Sequence, residues 1–385
     1  MSSSMRLYAT LAAGAGLSLA LGACDLGPKK ITQTGYRGTG MAQVVDVNNV
    51  KPAAVIPDDP YPLPADEGPS AAETYQNVQV LGDLSAERFN HLMAQITQWV
   101  APPEQGCNYC HNPENLASDE KYTKNVARQM LVMTRSINTN WQSHVKETGV
   151  TCYTCHRGNA IPAYVWASGD NPSGGIRGNK RGQNTPAAQV GYASLPYDPY
   201  SMYLQGDQNS RVNNTGIYPV AVGKSVKQAE ASYAIMMHLS TALGVNCTFC
   251  HNTDSFQSWS NSRPQRALAW YGIRMVREIN NQHLNPLAPI MPANRKGPNG
   301  DSLKVNCLTC HQGVNKPLGG VSMLPSAPTL RVTPALLERY KGYVAGSTPM
   351  AEAAPAAPPT EPATDSAVAE APADAAPAEA PAATE

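Results

Sequence analysis

VARQMLVMTRSINTNWQSHVKETGVTCYTCHRG, residues 126–158, decides how this chain of 385 residues is built. It closes on Cys152-Tyr-Thr-Cys155-His156, the C-x-x-C-H spacing that attaches a c-type haem. Two thiols on one tight turn can add to the two vinyl groups of one porphyrin, and the adjacent imidazole then sits under the iron. Upstream lie Met130 and His144, both residue types that can take the second axial position. One segment therefore offers ligands to two different haems.

The same motif recurs at Cys107-Asn-Tyr-Cys110-His111, Cys247-Thr-Phe-Cys250-His251 and Cys307-Leu-Thr-Cys310-His311. A C-x-x-C pair by itself could be a zinc half-site, a dithiol or part of a disulfide. Only eight His occur in the chain, so four of them directly after such pairs by chance has odds of about one in several million. The strings between the motifs repeat as well. Cys107-x-x-Cys-His-Asn, then Met133-Thr-Arg-Ser-Ile-Asn, then Cys152-x-x-Cys-His-Arg-Gly parallels Cys247-x-x-Cys-His-Asn, Met275-Val-Arg-Glu-Ile-Asn and Cys307-x-x-Cys-His-Gln-Gly. Each half reads helix, motif, helix, motif. The expected fold is a mainly α multihaem cytochrome. It has two halves related by a pseudo-two-fold axis, each with two helix–haem units, long loops and few short strands.

Each motif needs a sixth ligand from a preceding helix. The first helix, opened by Ser85 and closed before Pro102-Pro103, offers Met93, with His91 as a rival on another face. The second, from Thr123 to Thr139, offers Met130 and Met133. The third, from Lys227 to Leu243 and ended by Gly244, offers Met236, Met237 and His238. Core packing is the ordinary use of such methionines. The fourth helix, from Gln265 to Asn281, differs: aligning the repeats places Gly272 opposite Met130. The fourth haem thus lacks its partner's Met, leaving His144, His283 and Met275 as candidates; His283 aligns with Trp141 and could instead be a surface residue beyond the helix.

The ends of the chain carry other signals. Arg6, an apolar run from Leu7 to Leu21 and small residues read as an export signal; the run is too short and too rich in Ala and Gly for a membrane span. Leu21-Gly-Ala-Cys24 has the form of a bacterial lipobox, and Cys24 is the one Cys left over from four pairs. Acylation there would anchor a soluble body to a membrane. From Ser347 onward the chain is Ala, Pro and seven acids without Lys or Arg, which cannot form a core. The remainder carries +7 against an overall charge of zero, which haem propionates would offset, so charge gives no reason to invoke nucleic acid. The divisions are 1–23 signal peptide, 24–74 anchor and extended arm, 75–165 first dihaem half, 166–224 loop-like connection, 225–346 second dihaem half and 347–385 tail. A short strand is expected at Val78–Leu81 and a short helix near Pro334–Tyr343.

CYTCHRG, INTNW, NCTFCHN, PQRALAW, GIRMVRE and TCHQGV, with the lipobox, resemble the tetrahaem cytochrome c subunit of the purple bacterial photosynthetic reaction centre from about Tyr75 to Leu318. The resemblance implies four covalent c-type haems, three His/Met and one bis-His. It assigns Met93, Met130 and Met236 to the first three haems and His144 to the fourth, against His283. It implies a row in which the third haem lies nearest the membrane, then the fourth, the second and the first. It also implies a role: re-reduction of the photo-oxidised bacteriochlorophyll pair, with electrons from a soluble cytochrome c or a high-potential iron–sulfur protein. The protein would sit on the periplasmic face of the inner membrane, against the reaction centre's membrane subunits, with no bond-making catalysis. Arg266 matches a family Arg beside the third haem, where a guanidinium disfavours the oxidised state and raises the potential; a propionate ion pair is the competing use. A multihaem reductase would need an open distal site, and here every haem has a sixth ligand in reach. A storage cytochrome without a photosynthetic partner is opposed only by the specific strings.

Mass spectrometry of the mature protein is expected to find an acylated Cys24 at the N-terminus. An unmodified peptide crossing Ala23–Cys24 would end the lipoprotein reading.

Overall fold

A computed structural model describes residues 28–35, 41–169, 190, 194–196, 198–210, 212, 226–344 and 346, all within a unit spanning Met1–Ser347. The export signal, Cys24, much of the connection and the acidic tail lie outside the described residues. The architecture is mainly helical with few short strands. Two of these, β1 (Lys29–Gln33) and β2 (Ala42–Asp46), pair antiparallel from Lys29 opposite Asp46 to Gln33 opposite Ala42.

Helix α1 (Ala71–Thr74) is a single turn held by a capping box between Ser70 and Glu73. Helix α2 (Ala86–Val100) starts where Ser85 accepts the amide of Arg88, a cap worth about 1 kcal/mol. It buries Leu92 and Trp99 on one face and stops at Ala101, before two prolines. Helix α3 (Tyr122–Asn140) is followed by the turn α4 (Gln142–Val145), which carries His144, and by α5 (Cys152–His156), the second motif. Helix α6 (Val226–Leu243) ends at Gly244, whose φ of +63° closes it. Helix α7 (Pro264–Glu278) widens into a π-helical turn over Ile279–Leu284. There buried Asn280 gives its amide to the carbonyls of Leu204 and Val305 and accepts from the amide of Val305. The fourth motif is α8 (Cys307–His311), and α9 (Pro334–Glu338) is shorter than the expected helix, ending before Arg339.

Two expectations need correction. Val78–Leu81 is not a strand: the Val80 carbonyl accepts from Arg135 and from the Tyr340 hydroxyl, not from a neighbouring strand. The connection is only partly loop-like. Trp166 forms an isolated β-bridge with Lys304, and Tyr200, Tyr203 and Leu204 are buried in an apolar cluster with α7, whose Arg277 also donates to the Tyr203 carbonyl. The arm, by contrast, lies against the body. Ala42 donates to the Thr248 hydroxyl, Lys51 to the Gln312 carbonyl, and Tyr153 to the Val55 carbonyl.

Two apolar clusters organise the rest. One joins Leu92, Trp99 and Leu131 to Leu318, Leu324 and Leu330 from the far end of the chain. The other joins Ile137 to Tyr203, Ile235, Val276 and Leu287. Arg135 sits beside the first cluster with no solvent exposure. Its guanidinium meets both carboxylate oxygens of Asp83 at 3.0 and 2.9 Å and reaches the carbonyls of Val80 and Thr329. Removing one partner of such a pair strands the other. Arg135→Ala is expected to cost about 3 kcal/mol, read as a lowered urea midpoint; an unchanged midpoint would show that the pair contributes nothing to stability.

Candidate haem-binding sites

The second and fourth motifs share one local construction. In α5, Thr151 and Thr154 form the capping box, with the Thr151 amide bonded to the Thr154 hydroxyl at 2.9 Å. In α8, Asn306 and Thr309 do the same at 3.0 Å. Each helix ends after its His because the next residue, Arg157 or Gln312, takes a left-handed conformation (φ 51° and 52°) and a glycine follows, Gly158 or Gly313. A non-glycine in that region costs about 1–2 kcal/mol, so the turn is held by its surroundings. Gly158 donates to the Trp99 carbonyl of α2, and Gly313 to the Ala242 carbonyl of α6, both at 2.8 Å. The first and third motifs instead begin on single 3-10 turns, Gly106–Tyr109 and Cys247–Phe249.

Each motif imidazole is held in one tautomer. His111 Nδ1 donates to the Leu116 carbonyl at 3.0 Å and His251 Nδ1 to that of Phe256 at 2.8 Å, five residues on in each case. His156 Nδ1 donates to Asn159 at 2.8 Å and His311 Nδ1 to Val314 at 3.0 Å, three residues on in each case. His144 Nδ1 donates to the Leu268 carbonyl at 2.8 Å. A carbonyl only accepts, so Nδ1 carries the proton and Nε2 presents a lone pair, the arrangement of a metal-ligating His. Burial holds His144, His156, His251 and His311 below the ordinary imidazole range, His311 at about 4, which favours the neutral form.

The other three histidines are engaged differently. His91 points Nε2, not Nδ1, at a backbone carbonyl, that of Tyr61 at 3.0 Å. Its Nε2 is thereby committed to the main chain, and Met93 rather than His91 lines the cavity described below. His283 is buried rather than on the surface, and its Nδ1 accepts from the Gln129 amide at 3.2 Å, which puts the proton on Nε2. His238 is buried with Nδ1 3.1 Å from the Tyr200 hydroxyl. Met275, the remaining candidate for the fourth site, is buried in the second apolar cluster.

A cavity of about 530 Å³ is lined by Met93, Cys107, Cys110 and His111 and continues past Met130, Cys152 and His156. Its walls are mostly apolar, with Val80, Phe89, Ile96, Val126 and Leu131, and its size is that of a cofactor site. The structure thus gathers the predicted residues of the first two sites except Cys155 around one cavity. At the fourth, the rings of His144 and His311 have centroids 6.1 Å apart. Two imidazoles facing each other across one metal ion, each bound at about 2 Å, stand at this separation. At the third, His251 stacks on Phe256 at 4.2 Å. Met236 packs, partly buried, on the second apolar cluster, and its assignment to His251 rests on the resemblance alone. Arg266 lies beside this motif and lowers the basicity of His251 through its charge. Its guanidinium bonds the carbonyls of Gln257 and Ser258 and lies 4.1 Å above the Trp259 ring. Donor chemistry, cavity and tautomers fit covalent haem.

Cys155 and Cys310 add a contact that the sequence does not announce. Their Cα atoms are 4.6 Å apart and their sulfurs are paired as a disulfide. A sulfur in a disulfide cannot also form a thioether, so this pairing and haem attachment at the same two residues exclude each other. Burial pushes the other thiols of these motifs, Cys152 and Cys307, up to about 12.

Comparison with known proteins agrees with this construction. The family described as "Photosynthetic reaction centre cytochrome C subunit" matches residues 26–331. The chain is 50% identical over 320 residues to the photosynthetic reaction center cytochrome c subunit of Rubrivivax gelatinosus, covering 82% of this chain and 87% of that protein. It is 47% identical to that of Thermochromatium tepidum, with 88% and 83% covered, and 39% identical to that of Roseobacter denitrificans, with 79% and 86% covered.

His91→Gln is expected to leave the haem spectra and midpoints intact, because its Nε2 serves Tyr61. Met93→Ala is expected to remove one Met-ligated haem signal and lower one midpoint. The reverse pattern would make His91 the ligand.

Proposed function

The chain belongs to the photosynthetic reaction centre cytochrome c subunits, and on that premise we propose that it binds four c-type haems and relays electrons to the photo-oxidised bacteriochlorophyll pair. It serves electron transfer in the reaction centre at the photosynthetic membrane. No helix among the described residues is long and apolar enough to cross that membrane. A lipid on Cys24 would supply the attachment on the periplasmic side, and a soluble periplasmic cytochrome c or iron–sulfur protein would supply the electrons.

The observation that carries the reading is the set of five imidazoles, each with Nδ1 given to a main-chain carbonyl and Nε2 left to bind. Cys107 and Cys110, Cys152 and Cys155, Cys247 and Cys250, and Cys307 and Cys310 would hold four porphyrins by thioethers. His111, His156, His251 and His311 would be the proximal ligands, and Met93, Met130, Met236 and His144 the distal ones. Bound haem iron supplies a one-electron couple, raised by a Met ligand relative to His. Apolar walls surround the first two sites, and Arg266 adds a positive charge beside the third, favouring its reduced state.

The thioether role is preferred for Cys155 and Cys310 because it explains the His that follows each of them. Their closeness then supports a pseudo-two-fold relation between halves. A residue meets its own repeat equivalent only near such an axis. The matched caps, left-handed turns and carbonyl acceptors support the same relation.

Flash-induced absorbance in native membranes is expected to show c-type haem oxidation as the bacteriochlorophyll pair is re-reduced, and to lose it when this chain is deleted. Haem that stays reduced after the flash would end the photosynthetic role. Mass spectrometry of the denatured protein is expected to show four bound haems and no alkylation of Cys155 or Cys310 after reduction. Labelling of both would end the four-haem assignment.

A further inference from the structure

Gly272 sits in the middle of α7, buried, where glycine is less favourable than alanine. Its φ is not in the left-handed range, so the backbone asks for no glycine there. Space does. A Cβ built on Gly272 would lie 2.6 Å from Cε1, 3.0 Å from Nδ1 and 3.2 Å from Nε2 of His144. The imidazole packs closely against bare helix backbone. It is also fixed there, because its Nδ1 donates to the Leu268 carbonyl one turn earlier on the same helix. Leu268 and Gly272 thus make a socket on α7 for a ring that comes from α4. The centroid of the same ring stands 6.1 Å from that of His311.

The repeat gives this socket its meaning. Where α7 has Gly272, α3 has Met130, whose side chain lines the cavity together with His156. The two helices are otherwise alike in sequence, Met133-Thr-Arg-Ser-Ile-Asn against Met275-Val-Arg-Glu-Ile-Asn. A Met at 272 would fill the volume that the His144 imidazole occupies. We propose that Gly272 is the positioning residue that decides the ligation of the fourth site: its missing side chain admits His144 and withholds a thioether, making this the one bis-His haem. The inference rests on the reading of His144 and His311 as ligands of one iron.

The test uses the full-length protein, with near-infrared magnetic circular dichroism and a redox titration of all four haems. Gly272→Ala is expected to remove the single bis-His signal and shift one midpoint, leaving the other three haems unchanged. A retained bis-His signal with four unchanged midpoints overturns the proposal. Gly272→Met combined with His144→Ala removes the ring that a Met side chain would strike, so it remains informative if the single variant does not accumulate. It is expected to give four His/Met haems and one raised midpoint. A five-coordinate high-spin fourth haem in that double variant also overturns the proposal. His144→Gln separates the two layers. If it leaves the bis-His signal intact, the ligand assignment itself fails; if it removes the signal while Gly272→Ala does not, only the role of Gly272 fails.

Discussion

An imidazole can bind a metal only through a nitrogen that carries no proton, and this chain settles that question before any metal is considered. Five of its eight histidines give the Nδ1 proton to a main-chain carbonyl. The acceptors are parts of the backbone, so no rotation of an acceptor side chain can undo the choice. Much of the local architecture serves to bring those carbonyls back. After the second and fourth motifs, two successive positive-φ residues fold the chain sharply enough for an acceptor three residues away. After the first and third, a longer excursion returns a carbonyl five residues away. The distal His144 takes its acceptor from another helix altogether. Ring orientation and protonation are therefore consequences of chain path.

What the sequence makes legible is what depends on local pattern. The four motifs, the four long helices, the Ser85 cap and the Gly244 stop all follow from residue types at fixed offsets. The break in the repeat at Gly272 was visible too, although only as a missing Met. What was not legible depends on long-range contact. That His91 is tied to Tyr61 requires knowing where the arm lies. That His283 is buried against Gln129 requires the docking of the π-helical turn on α3. Val78–Leu81 has the composition of a strand, yet Arg135 and Tyr340 claim the Val80 carbonyl, and no local signal predicts that. The nearness of Cys155 and Cys310 is a property of how two repeats meet, and a one-dimensional alignment marks them as equivalent without marking them as neighbours.

The two apolar clusters show why the halves cannot be treated as beads on a string. Leu318, Leu324 and Leu330 come late in the chain yet pack with Leu92, Trp99 and Leu131. Ile137, from the first half, packs with residues of the second. Polar contacts run the same way, from Arg331 to Glu147 and from Asn138 to the Leu330 carbonyl. Each repeat unit lends surface to the other, so the arrangement of the binding sites is set by shared cores rather than by a hinge. A rigid relation of this kind suits a relay, whose rates depend on fixed separations.

The wrapped arm has a consequence for biogenesis. It is the first part of the described chain to be synthesised, but Ala42 rests on Thr248 and Lys51 on Gln312, more than 200 residues downstream. Contacts of such sequence separation form late, after the loop between them has been closed. The arm can seat only once the third and fourth attachment turns exist for it to grip. Until then its backbone is loose and open to a protease. Seating of the arm is therefore a late step of folding, one that ties a largely exposed stretch of backbone to the third and fourth attachment turns.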